Sequence, residues 1–274
     1  MMNTRSMTLL NKLAEREMCE DTLRFVDGFL SICEAAGQKA IHWYKKRHTL
    51  LLQSKQHHDW VSEADRDVER FLCQSLETLL PGSHFFGEEF GGSLDAPCWV
   101  IDPIDGTTNF LYGHHDFVIS VALVDQHGTL LSAVVHPVSG RVIYAVRHMG
   151  AYEKQSGLTS PLKPRSVSHN ELVVGLNLNF QPGVADVYQQ HTQWLIEQGH
   201  QIRVSGSAAW SLTQVACGEL DGAYLGHVHL WDICAAQLIC QEVNLDVAAG
   251  FSGNTLAGKM WAWPKGSPLD KWVS

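Results

Sequence analysis

Two amphipathic helices are predicted near the start of the chain. Apolar residues recur at three- and four-residue steps through residues 21–47 and again through residues 63–80, a spacing that places them on one face of a helix. Ser62 is the predicted N-cap of the second helix, and a Pro-Gly pair follows its last turn. Residues 1–20 are mixed and polar, and they form either a frayed extension or part of a first helix.

The pattern then changes to that of β-strands. Short apolar runs separated by Gly, Asp and Pro predict a mostly antiparallel meander, with strands at residues 84–86, 99–101, 117–124, 129–136 and 141–146. A stretch rich in Ser, Thr, Gly and Pro at residues 156–164 predicts a crossing between two lobes.

The last part of the chain alternates between the two patterns. Strands are predicted at residues 172–178, 222–225 and 245–248, and helices at residues 185–198, 208–216 and 232–241. Such alternation is typical of an α/β lobe. The sequence therefore predicts a mixed α/β protein with an N-terminal α+β lobe at residues 21–165 and a C-terminal α/β lobe at residues 166–274.

Composition and charge narrow the class of protein. The 274 residues are 45% hydrophobic and 18% charged, which allows a substantial core and argues against an intrinsically disordered chain. A formal net charge of -9 without any long Lys/Arg run argues against a nucleic-acid partner. A negative protein that binds phosphate must supply positive charge locally, through helix N-termini or bound cations.

Cysteine usage and hydropathy bear on the compartment. The seven cysteines are an odd set without a C-x-x-C pair, which is typical of reduced thiols in a cytoplasmic protein. No apolar run approaches the roughly 20 residues that span a bilayer. We therefore expect a cytoplasmic protein with no membrane partner.

Three acidic segments are candidates for chemistry. A predicted buried strand ends in Asp102 and Asp105 within the run WVIDPIDGTTNF, Glu88 follows the preceding strand, and Asp232 opens an apolar helix. Taken singly, these residues are explained as turn residues, a solvated face and a helix N-cap. Taken together, they are hard oxygen ligands of the kind that Mg²⁺ prefers, and two such ions can clamp a phosphoryl group.

In this order and with this spacing, the three segments resemble the signature of the inositol monophosphatase superfamily, which is G-E-E, then W-[IV]-[IV]-D-P-[IL]-D-G-T-x-N-[FY], then W-D. The resemblance covers residues from about 21 to 249. It implies a layered αβαβα sandwich of the inositol monophosphatase and fructose-1,6-bisphosphatase type. It also implies a Mg²⁺-dependent phosphatase that forms a homodimer and hydrolyses a small phosphate ester.

The same resemblance implies which residues hold the metal. Glu88, Asp102 and the backbone carbonyl of Ile104 would bind a first Mg²⁺ ion. Asp102, Asp105 and Asp232 would bind a second, and some members of the family bind a third ion that shares Glu88.

The resemblance also assigns residues around the phosphate. Asp65 and Thr107 resemble the pair that orients and deprotonates the attacking water, with Glu88 as a further catalytic residue; alternatively, Asp65 belongs only to the first turn of its helix. The phosphate would meet backbone N–H groups at the start of the next helix. The implied substrate contacts are Asp105, Gly106, Thr107, Gly206, Ser207, Ala208, Leu225 and Asp232, with a capped helix start as the alternative for Ser207.

The chain departs from the family pattern at two places. Inositol-hydrolysing members carry a glutamate seven residues before the W-D aspartate, where this chain has Leu225, and His227 or His229 is the alternative polar contact. Asn244 replaces a Gly-Gly pair, and it can adopt the left-handed C-cap. The first departure weakens the case for inositol.

The sequence therefore predicts a phosphatase without fixing its substrate. A 3′-phosphoadenosine nucleotide, a fructose bisphosphate and histidinol phosphate are the alternatives to an inositol phosphate. The alternative function is a regulatory protein that binds a partner and keeps a secondary phosphatase site.

Overall fold

Helices and sheets alternate in five layers, in the order α-β-α-β-α. The computed structural model describes residues 2–50, 53–56, 59–166, 171–177, 185–251 and 257–273. The predicted αβαβα sandwich is confirmed.

The helices of the described residues include the five that the sequence predicts with bounds, at nearly the predicted positions, and a short helix near residue 270 that it does not predict. They are α1 (Thr4–Ala14), α2 (Glu20–Lys45), α3 (Glu63–Leu79), α4 (Thr107–Tyr112), α5 (Ala185–Glu197), α6 (Ala208–Ala216), α7 (Leu230–Glu242) and α8 (Asp270–Val273). The start of α3 is fixed by a capping box, since the Ser62 hydroxyl accepts the Ala64 N–H and the Ser62 N–H donates to the Asp65 carboxylate.

Strands form one two-stranded hairpin and two larger sheets. They are β1 (Gln53–Gln56), β2 (Asp59–Val61), β3 (His84–Gly87), β4 (Gly91–Gly92), β5 (Cys98–Asp105), β6 (Val118–Asp125), β7 (Gly128–His136), β8 (Arg141–Val146), β9 (Ala151–Gln155), β10 (Leu158–Pro161), β11 (Val173–Asn177), β12 (Gln201–Arg203), β13 (Gly222–His229), β14 (Asp246–Phe251) and β15 (Ala257–Trp263).

The sheet topology combines a meander with parallel pairs. The eight-stranded sheet has the order β10-β9-β8-β7-β6-β5-β3-β4, and only β3 and β5 are parallel within it. The five-stranded sheet has the order β12-β11-β13-β15-β14, with β11 parallel to both of its neighbours. The predicted antiparallel meander is therefore confirmed for β5 to β8 and extends to β10.

Alternate residues of β5 point into two different cores. Trp99 and Ile101 pack with α2 and α3 on one face of the eight-stranded sheet, whereas Cys98 and Val100 pack with α6 and α7 on the other face. This alternation is the period of a strand that is buried on both faces. The middle layer thus joins residues from both sides of the predicted lobe boundary at 165, and the two-lobe division stays a prediction.

The structure corrects several expectations. Residues 4–14 form a helix, so the first alternative for the N-terminus, a frayed extension, is wrong for them. The predicted crossing at residues 156–164 contains β10, which pairs with β9 at the edge of the large sheet. The strand predicted at residues 172–178 is observed as β11, and residue 178 lies outside the described residues. The sequence did not predict β1, β2, β4, β9, β12 and β15, or the helix α8.

The local prediction for the end of α7 is confirmed. Asn244 has a φ of 65°, which is the left-handed conformation that Asn tolerates better than most residues. The seven cysteines are free thiols, four of them buried. None of the described helices is long and apolar enough to cross a membrane.

Candidate active site

The end of β5 carries two aspartates on a bulge. Asp102 lies opposite Ser120 of β6 and Asp105 lies opposite Val118, so β5 has one extra residue over this interval. Such a bulge bends the strand and changes where its side chains point. The Asp102 carboxylate accepts the N–H of Ile104 at 3.0 Å, which closes the turn locally.

Glu88 is brought to Asp102 by the parallel pairing of β3 with β5. Gly87 is paired with Ile101, and the next residue, Glu88, donates its N–H to the Ile101 carbonyl at 3.1 Å. Asp102 is buried, and burial raises its pKa well above the ordinary range; Glu88, Asp105 and Asp232 raise it further through their charges. Acidic residues from three separate segments therefore interact electrostatically at one place.

Asp105 connects β5 to the start of α6. Its carboxylate accepts hydrogen bonds from the Ser207 hydroxyl at 2.7 Å, the Ala208 N–H at 3.2 Å and the Ala209 N–H at 2.6 Å. Burial, followed by the charge of Asp232, raises the pKa of Asp105 to about 7, while these hydrogen bonds oppose the rise. The orphan donors at the N-terminus of α6 are thus satisfied by a carboxylate more than 100 residues earlier in the chain.

This arrangement involves two of the predicted substrate contacts, whose contact with substrate stays a prediction. Ser207 and Ala208 are buried, and their polar atoms already bond Asp105. Gly206 is exposed and remains accessible at the same turn. The reading of Ser207 as a capped helix start is confirmed, because its hydroxyl also accepts the Trp210 N–H.

Asp232 sits in the first turn of α7. Its carboxylate accepts the His229 N–H at 2.7 Å in a capping box. The N-cap itself is His229, so the interpretation of Asp232 as the N-cap is wrong, because α7 begins at Leu230. The carbonyl of the preceding residue, Trp231, accepts the Ser120 hydroxyl at 3.0 Å, which ties the start of α7 to β6. Asp232 therefore lies beside Asp102 and Asp105 and raises the pKa of both.

Asp65 and Thr107 face each other across the site. Asp65 is fully buried in the first turn of α3, and its Oδ1 lies 3.4 Å from the Thr107 hydroxyl. That hydroxyl also lies 3.0 Å from the Ile104 carbonyl, so its single proton can bond only one acceptor at a time. Burial raises the pKa of Asp65 to about 6, against the lowering effect of two hydrogen bonds from Ser62.

A glycine makes the turn into α4 possible. Gly106 has a φ of 94°, and an added Cβ would lie 2.9 Å from the Asp116 carbonyl oxygen. Asn109 in α4 donates to the carbonyls of Asp116 and Ser205, both at 2.6 Å. These bonds hold α4 against the loop that enters α6.

The predicted metal ligands are of the right chemical type, but their side chains are not arranged around a common metal position. Across residues that the structure describes, no three His, Cys, Asp or Glu side chains already have the arrangement of a metal site. Asp105 and Asp232 instead accept hydrogen bonds from helix N-termini. The donor set nevertheless fits Mg²⁺, because the ligands are clustered carboxylate oxygens that repel one another at Asp102.

The structure places the side chain of Leu225 in the interior of the protein. Its side chain is fully buried and belongs to the core between the two sheets. The neighbouring Tyr224 points to the opposite face of β13 and packs in the outer core. Strand alternation directs the Leu225 side chain into the middle layer, and its contact with substrate stays a prediction.

Glu69 is a residue of this site that the sequence reading missed. It is buried on α3, one turn after Asp65, and its carboxylate accepts the N–H groups of Glu89 and Phe90. The available signal was its position three and seven residues before Leu72 and Leu76, on the apolar stripe of the helix. A charged residue on such a stripe indicates a buried polar partner.

Similarity to known proteins extends over most of the chain. A family model described as the inositol monophosphatase family matches residues 23–264. An inositol-1-monophosphatase from Rhizobium meliloti is 31% identical over 246 residues, which cover 86% of this chain and 84% of that protein. The Nus factor SuhB of Xylella fastidiosa is 30% identical over 228 residues, which cover 80% of this chain and 79% of that protein.

A solved structure has the same fold. The crystal structure of extragenic suppressor protein suhB from Bartonella henselae matches with a TM-score of 0.80 at 26% sequence identity, covering 87% of this chain and 93% of that chain. The similarity is thus one of the whole fold and is not confined to the three acidic segments.

Proposed function

The chain belongs to the inositol monophosphatase family, and we propose that it is a Mg²⁺-dependent phosphatase acting on a phosphate monoester of a small polar metabolite. Family membership makes it a phosphoric monoester hydrolase. The observation that supports the metal dependence is the convergence of Glu88, Asp105 and Asp232 on the buried Asp102.

The metal would be held by oxygen atoms of these segments. Glu88, Asp102 and the Ile104 carbonyl would bind one Mg²⁺ ion, Asp102, Asp105 and Asp232 a second, and a third would share Glu88. Bound there, Mg²⁺ would neutralise the phosphate charge and lower the pKa of a bound water. The side chain of Ile104 is in the core, so only its backbone oxygen serves.

Asp65 is the proton acceptor of the proposed reaction. The attacking water passes a proton to Thr107 Oγ1, which passes its own proton to Asp65 Oδ1 at 3.4 Å. The water oxygen forms the new bond to phosphorus, and the ester oxygen leaves with the electrons of the broken P–O bond. The leaving oxygen takes up a proton from solvent water, and Asp65 returns its proton to solvent after the reaction. A pKa of about 6 leaves Asp65 mostly ionised at neutral pH and able to accept.

The phosphate would rest against the N–H groups of Gly106 and Thr107. These groups lie at the N-terminus of α4, where backbone N–H groups have no intrahelical acceptor. Because α4 has only six residues, the N–H groups themselves contribute more than a helix dipole.

We propose that the alcohol part of the substrate does not need the carboxylate contact that inositol-hydrolysing members of the family provide. Leu225 supplies no carboxylate at the position where inositol-hydrolysing relatives carry glutamate, and its side chain is buried. We therefore favour a phosphate ester whose alcohol does not depend on that contact, including a 3′-phosphoadenosine nucleotide, a fructose bisphosphate or histidinol phosphate.

The experiment is phosphate release from inositol 1-phosphate, phosphoadenosine phosphate, fructose 1,6-bisphosphate and histidinol phosphate, with and without Mg²⁺. Asp102→Asn is the control variant, because Asn keeps the oxygen that accepts the Ile104 N–H and removes the charge. Mg²⁺-dependent release that disappears in the variant supports the proposal. Release that persists without Mg²⁺, or in the variant, contradicts it.

A regulatory role is the second candidate, and it is favoured by the similarity to the Nus factor SuhB of Xylella fastidiosa. In that case the chain binds a protein partner, and its phosphatase site is secondary. Cells that carry only Asp102→Asn would then keep the phenotype of the wild type, whereas cells that lack the protein would not.

The proposal also covers the assembly and the compartment of the protein. We propose that the protein is cytoplasmic, because its seven cysteines are free thiols. We also propose that it forms a homodimer, on the basis of the family resemblance. Sedimentation equilibrium of the full chain would give twice the monomer mass of 30.5 kDa if the dimer forms.

A further inference from the structure

We propose that Glu69 is a positioning residue that fixes the turn carrying Glu88 and thereby sets the affinity for Mg²⁺. The inference rests on the proposed function, since it concerns the same metal site. Glu69 is proposed to act on the metal site only through the backbone, because its two carboxylate oxygens accept the N–H groups of Glu89 and Phe90.

Helix α3 delivers Glu69 to the site together with Asp65. The two residues are four apart, so they lie on the same face of the helix. Both are buried, with Glu69 only 1% exposed. A buried carboxylate is costly unless hydrogen bonds or charges compensate it, so the partners of Glu69 indicate what it is there to do.

Those partners are the two residues that follow Glu88. Glu69 Oε2 accepts the Glu89 N–H at 2.9 Å, and Oε1 accepts the Phe90 N–H at 3.1 Å. At this point the chain leaves β3, whose pairing with β5 ends at Gly87 and Ile101. Bonds from N–H groups to a carboxylate are stronger than neutral ones, and they fix the backbone just after Glu88.

The same carboxylate restricts which residue can precede Glu88. A Cβ added to Gly87 would lie 2.0 Å from Glu69 Oε1 and 2.5 Å from its Cδ. Space for the carboxylate is therefore sufficient to explain why this position is glycine.

The Glu88 backbone is consequently held on both sides. Its own N–H donates to the Ile101 carbonyl at 3.1 Å, and Glu69 contacts the residues before and after it. This constraint directs the Glu88 side chain toward Asp102, whose pKa it raises. Partners that orient a metal ligand change metal affinity by about 10- to 100-fold when they are removed.

Glu69→Gln tests the inference. The amide nitrogen of Gln is a donor, so it would face one of the two backbone N–H groups and break that hydrogen bond. We expect Mg²⁺, titrated alone into the full chain by calorimetry, to bind about 10-fold more weakly. The apparent activation constant for Mg²⁺ in phosphate release should rise by the same factor, with kcat recovering at saturating Mg²⁺.

Glu77→Gln is the matched control. Glu77 lies on the same helix and also accepts a backbone N–H, that of Gly82 at 3.1 Å, but at the exposed far end of α3. We expect its Mg²⁺ affinity to equal that of the wild type. Gly87→Ala is the second variant should Glu69→Gln fail to fold, because the new Cβ displaces the carboxylate without removing it, and we expect the same weakening.

The outcomes separate this inference from the proposed function. A wild-type protein that binds no Mg²⁺ overturns both. A wild type that binds Mg²⁺, with unchanged affinity in Glu69→Gln or, if that variant does not fold, in Gly87→Ala, overturns the inference alone. A lower melting temperature with unchanged Mg²⁺ affinity also overturns it, since Glu69 would then be merely structural.

Discussion

The two sides of the candidate site are built from different chemistry. On the side of α3, β3 and β5, acidic side chains face one another, and Asp65 and Asp102 are buried with raised pKa values. On the side of α6 and β13, the chain contributes N–H donors, a hydroxyl and apolar packing, with Leu225 inside the core. The first side is suited to cations and proton transfer, and the second side holds the first in place.

Asp102→Asn should have the largest effect, because it removes the central charge of the acidic side. We expect phosphate release to fall by about 1,000-fold, equivalent to about 4 kcal/mol of transition-state stabilisation. The melting temperature without added metal should not fall, since burial and the neighbouring acids disfavour the charged form of Asp102 and Asn keeps the oxygen that accepts the Ile104 N–H. If Asp102→Asn kept a tenth of the wild-type activity, Asp102 would not be the central ligand that the proposed metal site requires.

Leu225→Ala tests whether the side of the site formed by α6 and β13 contributes packing alone. The side chain is fully buried between the sheets, so we expect a loss of about 3 kcal/mol in the free energy of unfolding, measured in urea. The KM of the substrate should be unchanged. Leu212→Ala, in the same core on α6, should behave alike. A changed KM in the Leu225 variant alone would place that residue at the substrate.

Asp65→Asn should lower kcat by about 100-fold through the loss of a proton acceptor. In the wild type, Asp65 is protonated below its pKa of about 6 and cannot accept. We therefore expect kcat at saturating Mg²⁺ to fall tenfold per pH unit below about 6 and to level above it. Glu63→Gln, in the same turn of α3 but exposed, should keep this profile. An acid limb that persists in Asp65→Asn would assign it to another group.

Ser207→Ala should have the smallest effect. It removes one of three hydrogen bonds to Asp105 and the cap of α6, which costs about 1 kcal/mol of stability in thermal unfolding. Ser31→Ala, an exposed hydroxyl on α2, should cost less. Phosphate release should change only a few-fold, because two backbone N–H groups still hold Asp105. An effect as large as that of Asp102→Asn would make Ser207 part of the reacting centre.

Local patterns in the sequence predicted the elements that carry the acids. Ser62 and Asp65 start α3 through contacts within one turn, and the run from Asp102 to Gly106 encodes its own turn. Such features depend on neighbours in sequence, so the residues themselves specify them. The chain order of helices and strands followed for the same reason.

Features that depend on distant partners were not predictable. Glu69 bonds a turn 20 residues away, and Ser207 and Ala208 bond Asp105. Strand β10 has the composition of a loop but is held by its pairing with β9. In each case a tertiary contact determines the structural role of the residue or strand, and the local sequence does not predict that contact.

The most direct test of the metal-site claim is anomalous diffraction from crystals of the full chain grown with Mn²⁺, a hard cation that favours the same oxygen ligands as Mg²⁺. We predict two peaks in contact with the carboxylates of Glu88, Asp102, Asp105 and Asp232, and their loss in Asp102→Asn. A metal-activated protein without a peak at these carboxylates would contradict the account.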